Sequence, residues 1–209
     1  QTDRQRLADA RRWVVKVGSA LLTNDGRGLD ASVVKMLADQ LAALRSGGCD
    51  VVLVSSGAIV AGLARLNLAE RPHEVHISQA AAAGGQSALV RAYEEHLSPL
   101  GVTTAQILLS HADVRARDRY LNARSTLSTL LAMNVLPIVN ENDTVVTDEI
   151  RLGDNDTLAA LVANLVDADA LLILTDQDGL MDSDPRQSAN AALSQTADVH
   201  DRSLDAIAG

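Results

Sequence analysis

Short runs of uninterrupted aliphatic residues alternate along this chain with longer stretches whose apolar positions recur at helical spacing. Trp13-Val14-Val15-Lys16-Val17 reads as a buried strand ended by Gly18. From Ser32 to Arg45, Val33, Leu37, Leu41 and Leu44 share one helical face, and Gly47-Gly48 stops the helix. Asp50 to Val54 is a second strand, followed at once by Ser55-Ser56-Gly57 and a helix over Ala58 to Leu66. Val75 to Leu97 is alanine-rich and reads as a helix broken or kinked near Gly84-Gly85. Val102 to Leu109 is a third strand, Tyr120 to Met133 a helix, and Val135 to Val139 a fourth strand. Pro137 in that run points to a strand end or an edge. Thr157 to Val166 is helical and Leu171 to Leu174 a fifth strand.

Aliphatic strands separated by helices predict an α/β protein with a mostly parallel sheet covered on both faces. In such sheets ligands bind beyond the carboxyl ends of the strands, so the residues that follow each strand come first. The first strand carries Lys16 close to Gly18. A lysine in an apolar strand is costly to bury unpaired, and either snorkels from an edge strand or serves a site. A glycine beside it lets backbone N–H groups approach an anion, and a point-charge ammonium suits a phosphate. The second strand ends in Ser55-Ser56-Gly57, either a plain serine cap or an anion site at a helix start. The fourth runs into Asn140-Glu141-Asn142-Asp143-Thr144, a solvated loop or a set of carboxylates and amides that holds an amino acid. Gly153-Asp154-Asn155-Asp156-Thr157 opens a helix with more polar groups than one cap needs; they could bind a metal, position a lysine or hold a substrate.

Composition narrows the classes. The formal net charge is −9, which disfavours non-specific nucleic-acid binding and a polybasic membrane surface. With no Phe, one Trp and two Tyr, there is no aromatic platform for single-stranded nucleic acid. Of 18 cationic residues only Lys16 and Lys35 are lysines, which singles out Lys16. No apolar run approaches the ~20 residues that span a bilayer. Cys49 is the single cysteine, so no intrachain disulfide forms, and a reducing cytoplasm is expected. There is no GxxxxGK[ST] loop and no GxGxxG fingerprint. Thr175-Asp176-Gln177-Asp178-Gly179 resembles half an EF-hand loop, but its glycine comes too early and no bidentate Glu closes it, which excludes calcium. The histidines (His73, His76, His96, His111 and His200) read as surface residues with no zinc pattern, so no protein-bound metal is expected. Arg115, Arg117, Arg119 and Arg124 form a solvated face or frame an anionic pocket.

Taken in order, VVKVGSALLT from Val14, VVLVSSGAIVAG from Val51, QAAAAGGQSAL from Gln79, RYLNARSTL from Arg119, PIVNENDTV from Pro137, GDND from Gly153 and LLILTDQDGL from Leu171 resemble the amino-acid kinase superfamily, and within it the glutamate 5-kinase (gamma-glutamyl kinase) family. The resemblance spans almost the whole chain. It implies a three-layer α/β/α sandwich and transfer of the γ-phosphoryl group of Mg-ATP to the side-chain carboxylate of L-glutamate, the first step of proline biosynthesis. Carried over residue by residue, it implies that Lys16 binds the phosphates and stabilises the transferring group, and that Asp156 orients its charge. Ser56, Asp143 and Asn155 would bind glutamate, Thr175 and Asp176 would contact ATP, and Gly18 and Gly57 would supply backbone N–H groups. It further implies a cytoplasmic homo-oligomer, dimer or tetramer, subject to feedback inhibition by proline. The family has a further glycine-rich segment ending in a second phosphate lysine, and many members have a PUA domain. Neither is in this sequence, so residues 1–209 are expected to form a kinase domain lacking its C-terminal part. A non-catalytic module that senses glutamate or proline through the same pocket is the alternative.

Overall fold

The computed structural model describes residues 2–23, 28–68, 74–145, 155–183, 191–198, 200, 201 and 204. These group into two compact units, residues 1–174 and 175–209. In the first, helix α1 (Asp3–Asp9) precedes β1 (Arg12–Val17), α2 (Ser19–Leu22) and α3 (Ala31–Ser46). Next come β2 (Asp50–Ser55), α4 (Ala58–Arg65), α5 (Val75–Leu97), a 3-10 turn (Ser98–Leu100) and β3 (Thr103–Leu109). The order continues with α6 (His111–Arg115), α7 (Arg117–Ala132), β4 (Val135–Glu141), α8 (Asn155–Leu165) and β5 (Ala170–Leu174). The five strands form one sheet in the order β3-β4-β2-β1-β5, with every pair parallel.

Strand alternation builds the layers, because successive side chains point to opposite faces. On one face Val15, Val17, Leu53 and Ile138 pack against α3 and α5 through Leu37, Leu41, Leu89 and Leu97. On the other, Val14, Val52, Val54 and Val139 pack against α7 and α8 through Leu127, Leu131, Leu158 and Val162. The parallel sheet and its two covered faces are as the alternation of runs predicts. Lys16 has the parity of Val14 and so faces the α8 layer. Asn140 has the parity of Leu136 and Ile138 and so faces the α5 layer.

Four local expectations are corrected. Helix α5 runs unbroken from Val75 to Leu97. Its glycines serve contact: a Cβ on Gly85 would lie 1.9 Å from the Ala58 carbonyl oxygen, and one on Gly62 of α4 would lie 1.7 Å from that of Ala81. Ala81 and Ala82 are buried within this chain beside that contact. Pro137 lies inside β4, between β3 and β2, and not at a strand end or edge. It pairs in register with Ala105 of β3, and the β2–β4 register begins one residue later, at Leu53–Ile138. Helix α8 begins at Asn155, earlier than the apolar spacing indicates, so Asn155 and Asp156 stand in its first turn. His111 is buried at the start of α6 and is not a surface histidine.

The N-terminal helix α1 was not legible from periodicity because it buries nothing. A capping box in which Thr2 and Gln5 bond reciprocally holds it. In the second unit, Met181 and Leu193 form an antiparallel bridge, and the Asp182 carboxylate accepts from the Ala192 N–H at 2.9 Å.

Candidate active site

Polar side chains gather where β1, β2 and β4 end. Lys16 lies on β1, which pairs with β2 on one side and β5 on the other, so it is not an edge-strand lysine. Its side chain is only 10% exposed. The Nζ lies 2.5 Å from Oδ1 of Asp156, in the first turn of α8. A carboxylate there also interacts favourably with the helix N-terminus. The buried ammonium thus meets a carboxylate that is itself 56% exposed, a partner that makes its burial tolerable.

Asn155 and Asp156 diverge by about 100° around the helix axis, so they serve different neighbours. Asn155 Nδ2 donates to Ser56 Oγ at 2.8 Å and to Asn140 Oδ1 at 3.0 Å. Asn140 Nδ2 in turn donates to Gln86 Oε1 at 2.8 Å. Residues from four elements are thus linked by side-chain hydrogen bonds: Ser56 after β2, Asn140 on β4, Asn155 on α8 and Gln86 on α5. Below Ser56, Ser55 Oγ and Tyr93 Oη are 3.0 Å apart in the buried interior. Burial pushes the Tyr93 phenol up to about 12, with the Ser55 hydrogen bond opposing it.

A cleft of about 350 Å³ opens beside this cluster. Gln86, Gln106, Glu141, Asn142, Asp143 and Thr144 line it, with Ala82 and Ala83 on the α5 side. Asp143 is buried at 6% exposure in the turn that follows β4. Asn142 N–H donates to the Leu109 carbonyl at 2.8 Å, which ties that turn to the end of β3. Glu141 is buried on β4 with one carboxylate oxygen 3.9 Å from His111 Nε2.

The two glycines differ. Gly57 caps α4 with φ of +107°, a left-handed conformation that favours glycine, and no side chain caps that helix. The first N–H groups of α4 therefore open onto the end of β2. Gly18 does not offer its N–H to an anion as expected, because that N–H donates to the Leu174 carbonyl at 3.2 Å. Gly18 adjoins the ammonium: a Cβ there would sit 3.5 Å from Lys16 Nζ, an ordinary contact distance. Thr175 and Asp176 belong to the second unit. There Thr175 Oγ1 donates to Asp176 Oδ1 at 3.2 Å, and hydrogen bonds from Gln177 and Thr175 hold the Asp176 carboxyl below its ordinary range.

So the structure brings Lys16 to Asp156 and Ser56 to Asn155, and links the second pair through Asn140 and Gln86 to the cleft that holds Asp143. Sequence reasoning missed Gln86, His111 and Tyr93. The polar run after the fourth strand already contained Asn140 and Glu141, and the motif QAAAAGGQSAL contained Gln86, but only the fold shows which polar residue meets which. Gly153 and Asp154 lie outside the described residues. Lys35 is exposed on α3, with its Nζ 2.6 Å from Asp39. Arg119 pairs with Asp113 at 2.9 Å, and Arg124 pairs with Asp167 and bonds the Leu165 carbonyl at the end of α8. Those two arginines brace helix ends. Among the described residues no group of three or more His, Cys, Asp or Glu side chains is placed to hold a metal ion, and no helix is long and apolar enough to cross a membrane.

The model of the family described as the amino acid kinase family matches residues 11–203. A glutamate 5-kinase of Stutzerimonas stutzeri (strain A1501) is 59% identical over 206 residues, covering 99% of this chain and 55% of that protein. One from Saccharophagus degradans is 60% identical over 206 residues, with the same coverage of 99% and 55%. One from Alcanivorax borkumensis is 59% identical over 203 residues, covering 97% and 54%. The chain thus spans about half the length of the curated relatives it matches.

Proposed function

The chain belongs to the amino acid kinase family, and from that premise we propose that the protein transfers the γ-phosphoryl group of Mg-ATP to the side-chain carboxylate of L-glutamate. The products are L-glutamyl 5-phosphate and ADP. A glutamate carboxylate oxygen bonds to the γ-phosphorus as the bond from that phosphorus to the bridging oxygen breaks. The nucleophile is already ionised at neutral pH, so no general base is needed. Catalysis is then positioning plus neutralisation of converging negative charge.

The observation that carries this reading is the buried Lys16, paired with the more exposed Asp156, beside the Ser56–Asn155 hydrogen bond at the carboxyl end of the sheet. In it Lys16 meets the phosphates and the transferring group, and Asp156 fixes the position of its Nζ. Ser56, the N–H groups following Gly57, Asn155 and Asp143 hold glutamate, with Asp143 facing its ammonium. Gly18 adjoins the phosphates beside Lys16, and Thr175 and Asp176 contact the nucleotide. Mg²⁺ would be held mainly by the ATP phosphates, as such ions commonly are, with few protein carboxylates, and would supply charge neutralisation there. Lys35 is spoken for by Asp39, which leaves Lys16 as the lysine of this chain for the phosphates. The same reading places the protein in the cytoplasm as a homodimer or homotetramer under feedback inhibition by proline.

A hydroxamate assay of the full-length protein with ATP and a panel of acids tests it. L-Glutamate is expected to be phosphorylated far better than aspartate or N-acetylglutamate. Acylation removes the ammonium that faces Asp143, and losing one partner of such a buried charge pair typically costs about 2–5 kcal/mol. Equal turnover of N-acetylglutamate overturns the assignment. Tight glutamate binding with no turnover points instead to the sensing module.

A further inference from the structure

We propose that Gln86 is a positioning residue that fixes, through Asn140, which end of the Asn155 side-chain amide faces the bound amino acid. This deepens the functional reading above and rests on it. Each side-chain amide has a donor end and an acceptor end. Gln86 Oε1 accepts from Asn140 Nδ2, and Asn140 Oδ1 accepts from Asn155 Nδ2. Reversing any one of the three alone sets oxygen against oxygen or N–H against N–H. The three orientations are therefore linked, and the outermost member, Gln86, biases the set.

Gln86 is well placed to do so because its backbone is held. Its neighbour Gly85 lies so close to Ala58 that a Cβ would approach the Ala58 carbonyl oxygen to 1.9 Å. Ala58 opens α4, directly after Ser56-Gly57. One helix contact thus holds both ends of the relay, Gln86 and Ser56, while Asn140 and Asn155 span between them. Gln86 is itself only 9% exposed and lines the cleft that contains Asp143.

The orientation found has a chemical consequence. Both Asn155 N–H groups are used within the relay, and its Oδ1 is buried with no hydrogen-bond partner among the described residues. Gln86 Nε2 at the other end is likewise unpartnered among them. Ser56 Oγ accepts from Asn155, which leaves its O–H to donate elsewhere. The relay therefore offers an acceptor at Asn155 and a donor at Ser56, a pair that matches the ammonium and carboxylate of an amino acid. Without the Gln86 acceptor, Asn140 is released and Asn155 loses its fixed sense.

Gln86→Met in the full-length protein keeps length and removes both polar ends. The expected result is a KM for glutamate raised about tenfold, the scale of one hydrogen bond, with kcat and the KM for ATP within about twofold. Side-chain amide resonances of isotope-labelled protein give a second measurement. In the unsubstituted protein those of Asn140 and Asn155 should exchange slowly with solvent. In Gln86→Met the Asn155 pair should shift, although Gln86 does not touch Asn155. An unchanged KM for glutamate, an equal rise in the KM for ATP, or rapid exchange of the Asn140 and Asn155 amides in the unsubstituted protein overturns the relay. If the unsubstituted protein does not phosphorylate glutamate, the functional reading falls, while the amide resonances still decide the relay.

Discussion

At the end of the sheet where the strands begin, polar groups are half-buried or exposed, and they are answered. Arg12 at the start of β1 donates to Asp50 at the start of β2 at 2.9 Å and to the Val166 carbonyl beyond α8 at 2.7 Å. Asp169, just before β5, accepts from the backbone N–H groups of Arg11 and Arg12, each at 2.8 Å. At the opposite end, Lys16, Asn140, Asp143 and Asn155 are buried, and Asn155 Oδ1 and Gln86 Nε2 find no hydrogen-bond partner among the described residues. Both ends belong to the same strands and the same folding problem. One end closes its hydrogen bonds internally and gains stability. The other buries polar atoms at a cost and keeps two of them unanswered, the mark of a surface shaped for a ligand.

Lys16 offers the largest test of that contrast. Lys16→Met should lower turnover by about 100–1,000-fold, the usual loss when one electrostatic donor to a transition state is removed. It should leave the thermal midpoint close to that of the unsubstituted protein, because the cost of burying the ammonium leaves with it. Lys16→Arg should not restore activity, since a planar fork does not fit a site built for a point charge. Steady-state kinetics of the full-length protein measure both. Near-normal turnover in either variant makes the Lys16–Asp156 pair a structural clamp like Arg12–Asp50, and the contrast between the two ends disappears.

How much of this was legible follows from the range of the forces involved. The strand runs and the α3 face showed because period and propensity are local. Lys16 showed because it is a charge in an aliphatic run. The Gln86–Asn140 bond joins residues 54 apart in sequence, and no local pattern encodes which amide meets which. The unbroken course of α5 depends on α4 lying against Gly85, so glycine read as a helix breaker gave a kink that packing removes. His111 showed no motif of its own, and its burial becomes visible only when β4 brings Glu141 beside it. The capping box of Ser110 and Asp113, which spans it, was a readable signal for α6.

Tyr93 lies under the ligand-facing end and gives a test by pH. Its folded pKa, pushed up to about 12, stands above the ordinary phenol value of 10.0. Between those values the unfolded chain loses the proton while the folded chain keeps it. The stabilisation is therefore complete below pH 10 and is lost as pH rises toward 12, by about 2–3 kcal/mol if the full shift is realised. Urea unfolding of the unsubstituted protein and of Tyr93→Phe across this range should show the alkaline slope only in the former. Equal slopes would mean that the Ser55–Tyr93 contact opens to water, and that the floor of the site is as exposed as the strand-start end.

The smallest effect is expected at Asp169, and it belongs wholly to that other end. Its carboxyl is held below the ordinary value of 3.8, first by the backbone N–H groups of Arg11 and Arg12 and with a lesser contribution from the Arg12 charge. A depressed carboxyl stabilises the fold above the unfolded pKa, and that contribution is lost as pH falls through the folded one. The side chain is exposed, so solvent screens most of the charge contribution. Asp169→Asn keeps an acceptor for the two N–H groups and removes the charge. It should unfold at a slightly lower urea midpoint than the unsubstituted protein near pH 7, and the difference should vanish as pH falls below the ordinary carboxyl range. Glutamate and ATP kinetics should not move, because Asp169 lies at the opposite end of β5 from the residues that follow the strands. A changed KM for glutamate in Asp169→Asn would mean that strain at the strand starts reaches the ligand end through the sheet, and the two ends could no longer be treated as independent.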